Sequence, residues 1–273
     1  QNGSHAPTIQ GFVESALSDL LQKETTITGA GRTDSGVHAL AQAASFRAET
    51  KITPESLLRA LNVRLPEDIA ITDVQIMPDS FHAQKDARGK HYRYYVYEDK
   101  IPRTVGRQYF YQFTYPLKEY LLRPVLPLLE GTHDFSAFCA SGSHVLTKER
   151  TIYKITLTHH DKWWIFDFYG AGFLRNMVRI MVGSFLEIAA GKLSPEAITL
   201  ALATGRRDVL GRTAPPHGLW LVEVYYLSYA RKGLVFLQTA YLKYLTALFL
   251  FGSNGIVASH ISLSSYEIVF FRL

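Results

Sequence analysis

Ile9, Phe12, Val13, Ala16, Leu17, Leu20 and Leu21 recur at helical spacing behind Thr8, so residues 9–22 are expected to form an amphipathic helix capped by the threonine hydroxyl. Pro54 opens a second, short helix. Alternating apolar and polar positions predict strands at 37–47, 69–76 and 88–97, and residues 117–129 return to a helical pattern. Further on, 152–157 and 163–169 bracket His159-His160-Asp161-Lys162 as a hairpin turn. Helices at 173–190 and 195–203 follow, and 219–226 closes as a strand.

Hairpins set between helices, without strict strand-helix-strand alternation, argue against a doubly wound parallel sheet and predict an α+β protein of two mixed halves meeting near 100–115. No repeat or low-complexity segment is present. Residues 234–251 are apolar over a length that could span a bilayer, interrupted by Gln238 and Lys243. A central lysine is costly in lipid, so a buried or partner-covered helix is expected there, and membrane association is not.

A chain of 273 residues, 47% hydrophobic and 19% charged, can bury a large core in one domain or two lobes. The net charge of +5 permits a nucleic-acid partner without pointing to one, so local charge has to carry that argument. Cys139 is the only cysteine, which excludes an internal disulfide, suits a reducing cytoplasm and reads as a small buried hydrophobe. Neither a His-Glu-x-x-His signature nor another metal-ligand cluster occurs, and no signal peptide is visible, so no metal is expected.

Candidate chemistry concentrates in Gly29-Ala30-Gly31-Arg32-Thr33-Asp34-Ser35-Gly36-Val37-His38-Ala39. The glycines allow tight backbone and close approach of another molecule, and Arg32 favours an ionised neighbouring carboxylate, suited to a nucleophile or a base. On spacing alone, Asp34 reads first as the closer of a turn. An aspartic-protease reading needs a second such triplet or a symmetric dimer, and the chain carries no second copy. A phosphate-binding loop would need glycine at position 34 and a following Gly-Lys-Ser/Thr.

Arg32-Thr33-Asp34-Ser35-Gly36-Val37-His38-Ala39 resembles the catalytic motif of the tRNA pseudouridine synthase A (TruA) family, and further segments match in order. Phe81-His82-Ala83 with Lys90-His91-Tyr92-Arg93-Tyr94 is similar to the second motif. Gly131-Thr132-His133-Asp134-Phe135-Ser136-Ala137-Phe138 resembles the middle one. Gly172-Phe173-Leu174-Arg175-Asn176-Met177-Val178-Arg179 leading into Gly183, and then Ala214-Pro215-Pro216-His217-Gly218-Leu219, resemble the last two. The family's usual opening strand is missing before Gln1, and residues 227–273 form a tail that matches nothing in it.

The resemblance implies a pseudouridine synthase fold, with two ferredoxin-like lobes (1–105 and 106–226) sharing a mostly antiparallel sheet around a central cleft. It implies isomerisation of uridines 38 to 40 in the tRNA anticodon arm by a cytoplasmic homodimer that needs no cofactor. Asp34 is then the catalytic carboxylate, attacking ribose C1′ or taking the C2′ proton. Tyr92 stacks on the uracil, its phenol a further proton carrier, while Tyr94, Tyr95 and Tyr97 pack the sheet. Arg175 and Arg179 are expected four apart on one helix face, Arg179 paired with Asp34 and Arg175 meeting phosphate or solvent. Arg32, His38 and Lys90 are candidate substrate contacts, and Lys85, Arg88, Arg59 and Arg64 candidate phosphate contacts. Asp134 is the only carboxylate that could partner Asp34 in a glycosidase or nuclease, and it reads as structural. An RNA-binding relic without catalysis is the alternative to the enzyme.

Overall fold

The computed structural model describes residues 8–142, 145–227 and 267–272. Helix α1 (Ile9–Leu21) starts where Thr8 Oγ1 accepts the Gly11 amide, and α2 (Pro54–Arg64) starts behind Thr53 in the same way. Pro54 sits in the first turn, where a missing N–H leaves no bond unmade. The strands are β1 (Thr28–Gly29), β2 (His38–Ala39), β3 (Gln42–Phe46), β4 (Ala70–Ile76), β5 (Ala87–Glu98), β6 (Tyr111–Phe113), β7 (Gly131–Asp134), β8 (Glu149–His160), β9 (Trp163–Gly170), β10 (Leu219–Tyr226) and β11 (Glu267–Arg272). Helices α3 (Glu119–Leu122), α4 (Met177–Ala189) and α5 (Glu196–Thr204) complete the regular elements.

Among the described residues the strands form a four-stranded sheet, in the order β1-β3-β11-β4, and a seven-stranded sheet, β2-β10-β5-β9-β8-β7, with β6 alongside the end of β5. The architecture is α+β and mostly antiparallel, as expected; the parallel pairs are β2 with β10 and β5 with β6. Helices α1 and α2 cover the smaller sheet, where Val13, Leu17, Leu57 and Leu61 meet Ala44, Phe46, Ile71 and Val74. On the larger sheet α4 packs through Phe185 against Phe166 and Phe168. Every residue of α4 except Arg179 and Glu187 is buried, so a charge on this helix needs a partner inside the protein.

Alternation along β5 sorts its side chains as the sequence predicts. Tyr92, Tyr94 and Val96 enter the main core, and the Tyr94 hydroxyl donates to Pro215 O at 2.6 Å. On the other face Asp167 Oδ1 of β9 lies 2.5 Å from His91 Nε2 and accepts Arg93 Nε at 2.7 Å. Burial by itself raises the Asp167 carboxyl, but these two partners hold it below the usual carboxylate range. Cys139 is buried as expected, and Asp134 caps its own turn by accepting the Ser136 amide.

Several expected elements differ. Residues 37–47 are two strands, because the chain crosses from the larger sheet at β2 to the smaller sheet at β3. The 117–129 helix is only the short α3 followed by a 3-10 turn, Leu126–Leu129, since Pro124 and Pro127 lack the N–H that a continuous helix needs. His159 and His160 belong to β8; the turn after them pivots on a left-handed Asp161, and His159 stacks on Trp164 at 3.9 Å. Helix α4 starts at Met177 instead of 173, because Asn176 adopts a left-handed φ of 62°. Arg175 therefore lies outside the helix, and the expected two-arginine face is not built. Residues 234–251 lie outside the described residues, among which no helix is long and apolar enough to cross a membrane.

Candidate active site

The loop after β1 is fastened at its base. Ala30 N donates to Ala43 O at 2.7 Å, Gln42 Nε2 donates to Gly31 O at 3.0 Å, and Lys90 Nζ donates to Ala30 O at 2.9 Å. At its tip, Val37 N donates to Asp34 O at 3.1 Å and Gly36 supplies the φ of +79° that such a turn requires. The turn-closing reading is thus correct for the backbone of Asp34. Its side chain does something else: Oδ2 accepts Arg179 Nη1 at 3.0 Å, and Oδ1 has no partner among the described residues.

Arg179 is held at three points. Nη1 also donates to Asn176 Oδ1 at 2.9 Å, and Nε donates to Ala214 O at 2.8 Å. Ala214 N returns a bond to Arg179 O at 3.0 Å, so the segment before β10 is laced to the helix. Asn176 stands at the N-cap of α4 without capping it; its side chain is spent on the guanidinium. The helix and this segment touch at Gly183, where a Cβ would overlap the carbonyl oxygen of Arg212. Gly183→Ala is therefore expected to cost about 1–3 kcal/mol in stability through overpacking and to lower turnover by shifting Ala214 away from Arg179. Urea unfolding and turnover measured on the same preparation check it; unchanged values of both would refute the close-packing argument.

A cavity of about 400 Å³ opens beside the loop, lined by Arg32, Thr33, Asp34 and Gly36 and by Gln10, Gln42 and Gln84. Asp34 and the exposed Arg32 therefore share one cleft. A second cavity of about 450 Å³ lies against Leu40, Tyr95, Tyr109, Trp163, Ile165 and Trp220. It is almost wholly apolar and its lining holds no carboxylate, so the first cavity is the candidate site.

A family model described as tRNA pseudouridine synthase matches residues 1–86 and 126–227. A tRNA pseudouridine synthase A of Geobacillus sp. (strain WCH70) is 44% identical over 220 residues, covering 80% of this chain and 89% of the relative. The proteins of the same name from Acetivibrio thermocellus and Bacillus subtilis (strain 168) are 41% and 42% identical, over 83% and 80% of this chain and 93% and 90% of their own length. The chain belongs to the tRNA pseudouridine synthase family.

Within this member of the pseudouridine synthase family, three of the candidate substrate-binding side chains stand as follows. His38 faces away from the cleft, its Nε2 2.8 Å from Gln108 O and its ring 4.5 Å from Trp220. Arg175 is exposed ahead of α4, its carbonyl accepting the Ala140 amide. Lys90 is turned inward onto the Ala30 carbonyl, and burial, followed by the Arg150 charge, lowers its ammonium below the usual lysine range. A Cβ on Gly31 would lie 2.5 Å from Lys90 Nζ, a measure of how closely the lysine grips the loop.

Lys90 therefore braces the loop that carries Asp34. Lys90→Met is expected to lower kcat by about tenfold through misplacement of Asp34 while leaving the salt dependence of tRNA binding unchanged. The opposite pattern, normal kcat with the logarithmic salt slope reduced by about one, would identify a phosphate contact.

Tyr92 is buried beside the loop, its ring 5.2 Å from Phe173 in an edge-to-face pair. Burial first, then the nearby Asp34 charge, push its phenol far above the ordinary tyrosine range. Burial and the neighbouring carboxylate thus favour the protonated, hydrogen-bond-donating form of the phenol. Asn176 and Ala214 escaped the sequence reading, because a carbonyl or amide that braces an arginine leaves no spacing pattern. The only visible signal for Asn176 was its place just before an apolar helix, where an N-cap function is the ordinary expectation.

Proposed function

We propose that the chain isomerises uridine to pseudouridine in tRNA, at positions 38 to 40 of the anticodon arm, with Asp34 as the catalytic carboxylate. The observation that carries this reading is the ion pair between Asp34 and Arg179, residues 145 positions apart in sequence. It fixes one carboxylate oxygen and leaves Oδ1 to the sugar.

In the reaction, the bond from ribose C1′ to uracil N1 breaks and the base leaves as a delocalised anion. The freed base turns, C5 bonds to C1′, and the C5 proton is lost as N1 regains one. Asp34 serves either as nucleophile at C1′ or as base toward the C2′ proton, and both roles need an oriented carboxylate with one free oxygen. Arg179 holds that orientation. The target nucleotide has to leave its stack, and the proposed ring for it is Tyr92, with Phe173 behind. Arg32, exposed at the cleft, is proposed to meet phosphate, with Arg175, Lys85 and Arg88 further along the RNA path.

Two ferredoxin-like lobes and a homodimer belong to the same proposal. Helices on one side of each sheet support the lobes. The apolar cavity at Tyr95, Trp163 and Trp220, on the sheet face away from α4, supports a covered surface between subunits. A cytoplasmic location accords with the single thiol and with tRNA as substrate.

Release of tritium from tRNA labelled at uridine C5 tests the reading. Release, with pseudouridine in the product digest, is expected. Saturable tRNA binding with no release would make the chain the catalytically silent binder instead.

A further inference from the structure

The turn that presents Asp34 is held differently at its two ends. Upstream, bonds at Ala30 and Gly31 fasten it to β3 and β5. Downstream, the chain leaves through β2, a strand of two residues that pairs parallel to β10, His38 opposite Trp220 and Ala39 opposite Leu221. One more ladder bond follows, from Leu40 N to Leu221 O at 2.8 Å. So short a ladder gives little local stability by itself.

Side chains add the hold that the ladder lacks. His38 Nε2 lies 2.8 Å from Gln108 O, and Trp220 Nε1 donates to Tyr109 O at 3.0 Å. A carbonyl oxygen accepts and never donates, so the imidazole carries a proton on Nε2. Two residues opposite each other across a ladder thus bond to two consecutive carbonyls of one crossing segment. Their rings are 4.5 Å apart, with Tyr109 at 5.1 Å from the imidazole and 5.6 Å from the indole.

The crossing segment is itself fixed. Gln112 Nε2 donates to Asp99 O at 2.8 Å and to Ile101 O at 2.7 Å, and its Oε1 accepts Arg103 N at 2.8 Å. Phe110, 4% exposed, packs edge-on against Tyr97 and Trp163. There is little slack between this anchor and the carboxylate. Val37 N is bonded to Asp34 O, and a Cβ on Gly36 would lie 3.1 Å from Pro216 Cγ.

We propose that His38 is a positioning residue for the Asp34 turn: with Trp220 it clamps the exit of the turn to the Gln108 and Tyr109 carbonyls and keeps the carboxylate in reach of Arg179. The imidazole acts through the backbone and touches no RNA. Its effect on turnover rests on the assignment of Asp34 as the catalytic carboxylate, whereas the clamp does not.

Full-length variants test this by tritium release, tRNA binding and amide hydrogen exchange. A glutamine at 38 can place its amide nitrogen near the position of Nε2, an asparagine only near that of Nδ1. His38→Leu and His38→Asn are therefore expected to lower kcat about tenfold, with tRNA affinity and its salt dependence as in the parent, and to speed exchange across residues 34–40. His38→Gln should restore most of both. Trp220→Phe should share the defect, and combined with His38→Leu it should cost less than the product of the two, because both hold one anchor. Equal defects in His38→Gln and His38→Leu, or a lower urea midpoint with kcat unchanged, would overturn the proposal. So would a loss of affinity with the logarithmic salt slope reduced by about one, the mark of a phosphate contact. Exchange that follows the variants as described, in a protein whose parent never releases tritium, would uphold the clamp and sink the catalytic reading.

Discussion

Asp34→Asn reduces turnover by roughly a thousandfold or more while leaving tRNA affinity within about twofold; that is the expected result of replacing the attacking or abstracting oxygen with an amide. The amide is nearly isosteric and Val37 N still has the residue-34 carbonyl, so the turn survives. What disappears is the charge and the basic lone pair. Affinity is set elsewhere, by phosphate contacts such as Arg32, and these are untouched. Single-turnover tritium release together with a filter-binding isotherm decides it. Turnover within tenfold of the parent would remove Asp34 from the reaction, and an equal loss of affinity would make it a binding residue.

The second large effect belongs to Arg179. Arg179→Met should lower kcat about a hundredfold, because the carboxylate loses the donor that fixes Oδ2 and misplacement by about an ångström costs that much. The loss also frees Asn176 Oδ1 and Ala214 O, so the neighbouring segment loosens with it. Arg175→Met is the internal control. It is exposed and outside α4, so its removal should leave kcat near the parent value while weakening tRNA binding and reducing the salt slope by about one. If Arg175→Met were the dead enzyme and Arg179→Met the weak binder, the two assignments would have to be exchanged.

The contrast between these arginines shows where local reading stops. Both stand in an apolar segment at helical spacing, and only the left-handed Asn176 separates them. Asn tolerates that conformation and is also an ordinary N-cap with extended backbone, but the apolar spacing runs through it from Phe173, so its identity does not announce the break. The directions taken by Lys90 and His38 are illegible for a related reason. Each lies in a motif beside a candidate catalytic residue, but where its side chain points depends on a carbonyl 60 or 70 residues distant in sequence.

Sequence alone determined the features whose physics is local. The Thr8 and Thr53 caps started α1 and α2, alternation assigned the two faces of β5, and the glycine-rich turn presented a carboxylate. The cost of burying an unpaired arginine on an apolar helix also pointed to the Asp34–Arg179 pairing. Tertiary structure alone decided how residues 37–47 divide between two sheets, what braces Arg179, which way Lys90 turns, and that a strand from the far end of the chain sits between β3 and β4. Periodicity records that a face is buried but not what buries it. Hydrogen-bond partners far apart in sequence are chosen only when the sheets assemble and each buried backbone group has to be satisfied.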